Sequence, residues 1–141
     1  MVLLSFSVKE DELKAGTKVR TTRLFTPEKY SLWNRTLFCG DLLLDGYWKP
    51  RTKEGYCLFR RPGKDLYVVV FRDLNGRPWP CRSRESGLIT PMSTDEFNTY
   101  LREEGFEHQL EEFLRFFETH YDRLDSRVFQ SIAFPPVKGV E

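Results

Sequence analysis

The stretch AGTKVRTTR, residues 15–23, decides how this chain reads. Gly16, Lys18, Thr21 and Arg23 stand in it as Gly-x-Lys-x-x-Thr-x-Arg behind a short predicted helix, and EGF at residues 104–106 leads into a long one. Ser7 followed by Glu10 has the form of a capping box, Leu13 is the first buried-looking position after it, and Gly16 suits the left-handed residue that ends a helix. Residues 20–25 read as a strand or extended loop. Thr26 and Pro27 then signal the cap and first turn of another short helix, reaching about Asn34.

Working outward, strand-like runs follow at 42–48, 56–60 and 66–72, separated by the turn formers Lys49-Pro50-Arg51 and Arg61-Pro62-Gly63. The continuously apolar run from Leu66 to Phe71 predicts a central strand covered on both faces. Asn75-Gly76 reads as a turn, and Pro78-Trp79-Pro80 argues against a regular central strand after it. Ser93 with Glu96 forms a second capping box, opening a helix with Phe97, Tyr100 and Leu101 on one face. A longer helix is predicted from about Glu107 to Tyr121, with Leu110, Phe113, Leu114, Phe117 and Tyr121 as its apolar stripe. A strand over 128–134 stops at Pro135-Pro136. These elements describe one α+β domain over residues 1–141.

At 40% hydrophobic, 30% charged and 15% aromatic residues, the chain has the composition of a folded domain. It contains no run of about 18 apolar residues, and MVLLSFSV lacks the basic start and cleavage region of a secretory signal, so the expected location is the cytoplasm with no membrane partner. Cys39, Cys57 and Cys81 form no Cys-x-x-Cys pair, and His108 and His120 lack the spacing of helical zinc ligands. The expectation is three reduced thiols, no metal and no cofactor.

The small net charge conceals an asymmetry. Residues 14–84 carry sixteen Lys and Arg against six Asp and Glu, whereas residues 85–141 carry five against twelve. The basic part also holds Tyr47, Trp48, Tyr56 and Trp79, and cationic and stacking groups together suit single-stranded RNA or a nucleoside. The contrary reading is that the acidic helices solvate one face while charges pair in space.

These residues resemble the ASCH domains of the PUA-like superfamily. The likeness rests on Gly16, Lys18, Thr21 and Arg23, on Glu104, Gly105 and Phe106 ahead of a helix, and on a closing strand at Phe129–Phe134; Tyr47-Trp48-Lys49-Pro50-Arg51-Thr52 is similar to the aromatic and basic strand end of many members. The threonine that usually follows the motif lysine is Val19 here, and residues 72–92 match no family pattern. The resemblance implies a strongly curved PUA-like β-barrel with short helices around it, a longer helix near the C-terminus, and a cleft where the two motifs meet. It also implies RNA or nucleoside binding and, in some short members, hydrolysis of the acetyl amide of acetylated cytidine. For that reaction the catalytic set falls on Lys18, Thr21 and Glu104.

Two functions from different classes follow. In the first, Gly16, Lys18, Arg20, Arg23, Trp48, Lys49 and Arg51 form a basic cleft for single-stranded RNA or a modified nucleoside. In the second, a metal-independent amidohydrolase uses the Thr21 hydroxyl as nucleophile, Lys18 as base and Glu104 as proton donor or relay. Lys18 and Thr21 point to opposite faces if both are extended, so a shared site requires Lys18 in a loop. Metal-free RNA cleavage is disfavoured, because neither histidine stands near the motifs in sequence.

Overall fold

A computed structural model describes residues 2–6, 8–106, 109–121 and 123–136. Its elements run β1 (Val2–Phe6), α1 (Glu10–Ala15), β2 (Arg20–Leu24), α2 (Pro27–Arg35), β3 (Leu44–Trp48), β4 (Tyr56–Arg61), β5 (Lys64–Leu74), β6 (Arg77–Ser83), β7 (Ile89–Pro91), α3 (Thr94–Glu103), α4 (Leu110–His120), a 3-10 turn at Leu124–Ser126, and β8 (Val128–Ala133). The class is α+β, as the sequence predicts.

The strands hydrogen-bond as two sheets, β1-β3-β4 and β2-β8-β5-β6-β7, and no closed barrel is found among the described residues. β1 pairs parallel to β3, with Val2 opposite Leu44 and Phe6 opposite Trp48; the other pairings are antiparallel. β8 lies between β2 and β5, so the closing strand ties the Lys18 segment to the centre of the larger sheet.

Strand alternation sends the side chains of the larger sheet into two cores. Tyr67, Val69, Phe71 and Phe129 pack against Phe97, Tyr100, Leu101, Phe113, Leu114 and Phe117 of α3 and α4. Ile132 and Phe134 join Val2, Leu4, Phe6, Leu13, Trp33, Leu44 and Phe59 in the other. Phe59 and Phe134 stack there with ring centroids 4.4 Å apart.

The capping signals largely hold. Thr26 accepts from Lys29 N at 3.1 Å, and both arms of the Ser93/Glu96 box form. Gly16 ends α1 at φ 79°. The start of α1 differs: Ser7 lies outside the described residues, and the cap position is Lys9, left-handed at φ 65° with no side-chain cap. Glu107 and His108, where the long helix was expected to begin, also lie outside the described residues.

Pro78-Trp79-Pro80 lies within β6, in a part of the strand that is an edge, in keeping with the expectation that it is no regular central strand. β7 borders only Cys81–Ser83, leaving the proline-bearing part with β5 as its sole strand neighbour. Pro80 O accepts from Met92 N, on the side away from β5. The missing proline N–H groups therefore break no ladder bond, since N–H and C=O of one strand residue point the same way. Among the described residues, no helix is long and apolar enough to cross a membrane.

Candidate active site

The loop between α1 and β2 is held at both ends by backbone bonds. Thr17 N and Lys18 N both donate to Glu12 O at 3.0 Å, Val19 N donates to Glu103 O at 2.7 Å, and Phe134 N donates to Val19 O at 2.8 Å. β2 begins only at Arg20, which places Lys18 in the loop and frees it from strand alternation. At the other end Glu104 caps α3, and Gly105 turns the chain at φ 89°. A Cβ on Gly105 would sit 3.3 Å from Lys18 Cβ, so glycine also permits the close approach of the two motifs.

The result is a buried ion pair between segments 86 residues apart. Lys18 Nζ lies 3.0 Å from Glu104 Oε1, and it donates further to Glu104 O at 3.0 Å and Arg20 O at 2.8 Å. The paired side chains are only 6% and 4% exposed. Burial lowers the Lys18 pKa, assisted by the charges of Arg23 and Lys9, while Glu104 pulls in the opposite direction.

Thr22 donates to Glu104 Oε2 in a short hydrogen bond, so both carboxylate oxygens are engaged. Thr22 Oγ1 also lies 2.7 Å from Tyr100 Oη and 3.1 Å from Ser131 Oγ. With the Thr22 proton committed to Glu104, Tyr100 supplies the proton of the 2.7 Å bond. Burial, followed by the Glu104 charge, raises the Tyr100 phenol well above its ordinary value and keeps it a donor.

Lys18, Thr21, Thr22, Arg23 and Glu104 line a cavity of about 120 Å³, enclosed further by Phe6, Phe106, Phe117, His120 and Tyr121. Thr21 is 3% exposed, and its hydroxyl has no hydrogen bond among the described residues. Val8, Lys9, Phe106, Phe116 and His120 also line a wider groove of about 690 Å³, making it the vestibule of the cavity. A larger hollow of about 770 Å³ beside Trp79 and α3 lacks this buried ionic cluster.

The residues singled out in the sequence separate into three groups. Lys18, Thr21, Glu104 and Arg23 share the cavity. Arg23 also donates to Ser5 O at 2.7 Å, and burial lowers its pKa against the opposing pull of Glu104. Arg20 is fully buried away from the cavity, between Glu103 (2.9 Å), Asp65 (2.5 Å) and Ser131 (3.0 Å), with its guanidinium 4.5 Å over the Tyr67 ring. Gly16 shapes the loop backbone. Trp48 is a core residue, 9% exposed, that borders the vestibule, while Lys49 and Arg51 stand exposed beyond it at φ 42° and 67°.

Sequence distance misled the reading of one histidine. His120, the last residue of α4, lines the cavity together with Thr21, Thr22 and Arg23 of β2; His108 lies outside the described residues. Thr22 and Tyr100 were also missed as site residues. Tyr100 was legible only as part of an apolar helix face, and Thr22 only as a strand residue beside Thr21. Comparison with family models, curated proteins and solved structures finds no match to this chain.

Proposed function

We propose that this protein is a small amidohydrolase of the ASCH type, within a PUA-like framework, that removes an acyl group from a modified cytidine. The observation that carries this reading is the buried Lys18–Glu104 pair in a cavity that Thr21, whose hydroxyl has no hydrogen bond among the described residues, also lines. A surface phosphate groove has no use for such burial. Amide hydrolysis does: a desolvated site strengthens the effect of fixed charges on the negative oxygen that forms during attack.

In this reading Thr21 Oγ1 attacks the acyl carbon, and the carbonyl electrons move onto oxygen opposite the cationic Lys18 and Arg23. The C–N bond then breaks, the amine leaves protonated, and water releases the acyl group from Thr21 as a carboxylic acid. Glu104 holds Lys18 in place and balances its charge. No metal or cofactor enters the scheme, and the free cysteines Cys39, Cys57 and Cys81 suit a reducing compartment such as the cytoplasm.

The test is steady-state hydrolysis of N4-acetylcytidine by the wild type and by Lys18→Met, Thr21→Val and Glu104→Gln. Each substitution is expected to lower kcat by about 100-fold or more while the protein stays folded. Wild-type protein that releases no cytidine at high enzyme concentration would remove this reading.

A binding reading has one observation in its favour. The β3–β4 loop exposes Lys49, Arg51 and Lys53 next to the vestibule, a placement suited to the phosphates of single-stranded RNA. Titration with RNA at two salt concentrations should then give weaker affinity at the higher one, with losses spread over these three residues. Affinity unaffected by salt counts against it.

A further inference from the structure

The charged pair leaves proton transfer unassigned. As an ammonium, Lys18 has all three protons held, by Arg20 O, Glu104 O and Glu104 Oε1. It has no lone pair for the Thr21 proton. Glu104 is engaged at both oxygens, by Lys18 and by Thr22. The cavity wall offers a further acceptor that no such contact occupies.

His120 has the required form. Its Nδ1 lies 2.8 Å from Phe116 O, one turn back on α4. A carbonyl oxygen only accepts, so Nδ1 carries the hydrogen, and the tautomer this selects has its lone pair on Nε2. The ring packs on Phe116 at 4.2 Å between centroids and 31° between planes, which restrains its tilt. Among the described residues Nε2 has no partner, and the side chain borders both cavity and vestibule.

We infer that His120 is the catalytic proton acceptor of this site; the inference rests on the amidohydrolase reading. His120 Nε2 takes the Thr21 hydroxyl proton as Oγ1 bonds to the acyl carbon, and the carbonyl π electrons move to oxygen. When the tetrahedral species collapses, the C–N bonding pair stays with nitrogen, which receives the proton from Nε2. Water then repeats the sequence on the Thr21 ester: Nε2 takes a water proton, the hydroxide adds to carbon, and the proton returns to Thr21 Oγ1 as the carboxylic acid departs. The backbone carbonyl of Phe116 fixes the tautomer, a part that a carboxylate plays for many catalytic histidines.

The experiment compares wild type with His120→Gly and His120→Gln on N4-acetylcytidine, with and without added imidazole. Both variants should lose about 100-fold or more in kcat with KM little changed. Imidazole should restore turnover to His120→Gly, an effect that loss of a purely structural side chain does not produce. Wild-type turnover with either variant equally active overturns the role of His120 and leaves the amidohydrolase reading standing. Wild-type inactivity ends that reading and this inference with it. Nitrogen NMR of the neutral His120 ring gives a readout independent of turnover: hydrogen on Nδ1 is expected, and hydrogen on Nε2 overturns the assignment.

Discussion

Replacing Lys18 by Met probes the centre of the fold and of the site together. The substitution keeps the aliphatic stem but removes the charge that faces Glu104 at 3.0 Å, where both side chains are nearly inaccessible. Glu104 then keeps the Thr22 hydroxyl and the more distant Arg23 as its balance. Removing one partner from a buried pair costs about 3–5 kcal/mol, a large share of the ~5–15 kcal/mol by which a domain is stable. Adding Glu104→Gln removes the stranded charge, so the double variant should cost about 1–3 kcal/mol less than the sum of the single ones. Lys14 and Glu10 provide the control: their 3.4 Å pair is 56% and 32% exposed and screened by solvent, and Lys14→Met should leave stability close to that of wild type. Urea unfolding followed by tryptophan fluorescence measures all four variants. A Lys18→Met protein as stable as Lys14→Met, or strictly additive single effects, would refute the reasoning.

Other expected outcomes follow from the same contacts. The folded pKa of Lys18 lies below its ordinary 10.5, so between the two values the unfolded chain binds more protons and stability rises with pH. Stability measured against pH in wild type minus Lys18→Met should show this rise, separated from Tyr67 and Tyr100, whose raised values act in the opposite sense at higher pH; a flat difference contradicts it. Gly105→Ala should lose about 1–2 kcal/mol in urea unfolding through its left-handed backbone alone, and because the new methyl presses on Lys18 it should also lower turnover. Arg20→Lys should cost about 1–3 kcal/mol, since an ammonium cannot reach Glu103, Asp65 and Ser131 together or stack on Tyr67. Unchanged stability in that variant would mean that the fork geometry is dispensable.

Local chemistry made much of the fold legible. The Thr26-Pro27 start, the Ser93/Glu96 box and the Gly16 stop are short-range signals, and each appears where its residues place it. The central position of β5 followed from its apolar run, although only Tyr67, Val69 and Phe71 are fully covered and the alternate residues are half-buried. β1 escaped notice because five residues with an alternating pattern say little until β3 is beside them. The prolines of β6 argued only against a central strand, and the sequence does not disclose that pairing with β7 stops at Cys81 and leaves them on an edge.

The candidate site was legible only as two motif segments. Lys18, Thr21 and Glu104 do meet at one cavity, and their meeting depends on loop bonds to Glu12, Glu103 and Phe134 that no spacing rule contains. Arg20 looked like a ligand residue because charge in a strand resembles charge on a surface; its partners come from distant elements. His120 was discounted on sequence distance, which helix packing cancels.

The most direct measurement of the central claim is a single-turnover reaction with enzyme in excess over N4-acetylcytidine, quenched and separated by chromatography. Wild type should convert the substrate completely to cytidine and acetate, while Thr21→Val and Glu104→Gln leave it acetylated. Intact N4-acetylcytidine after prolonged incubation with folded wild-type protein would contradict the account.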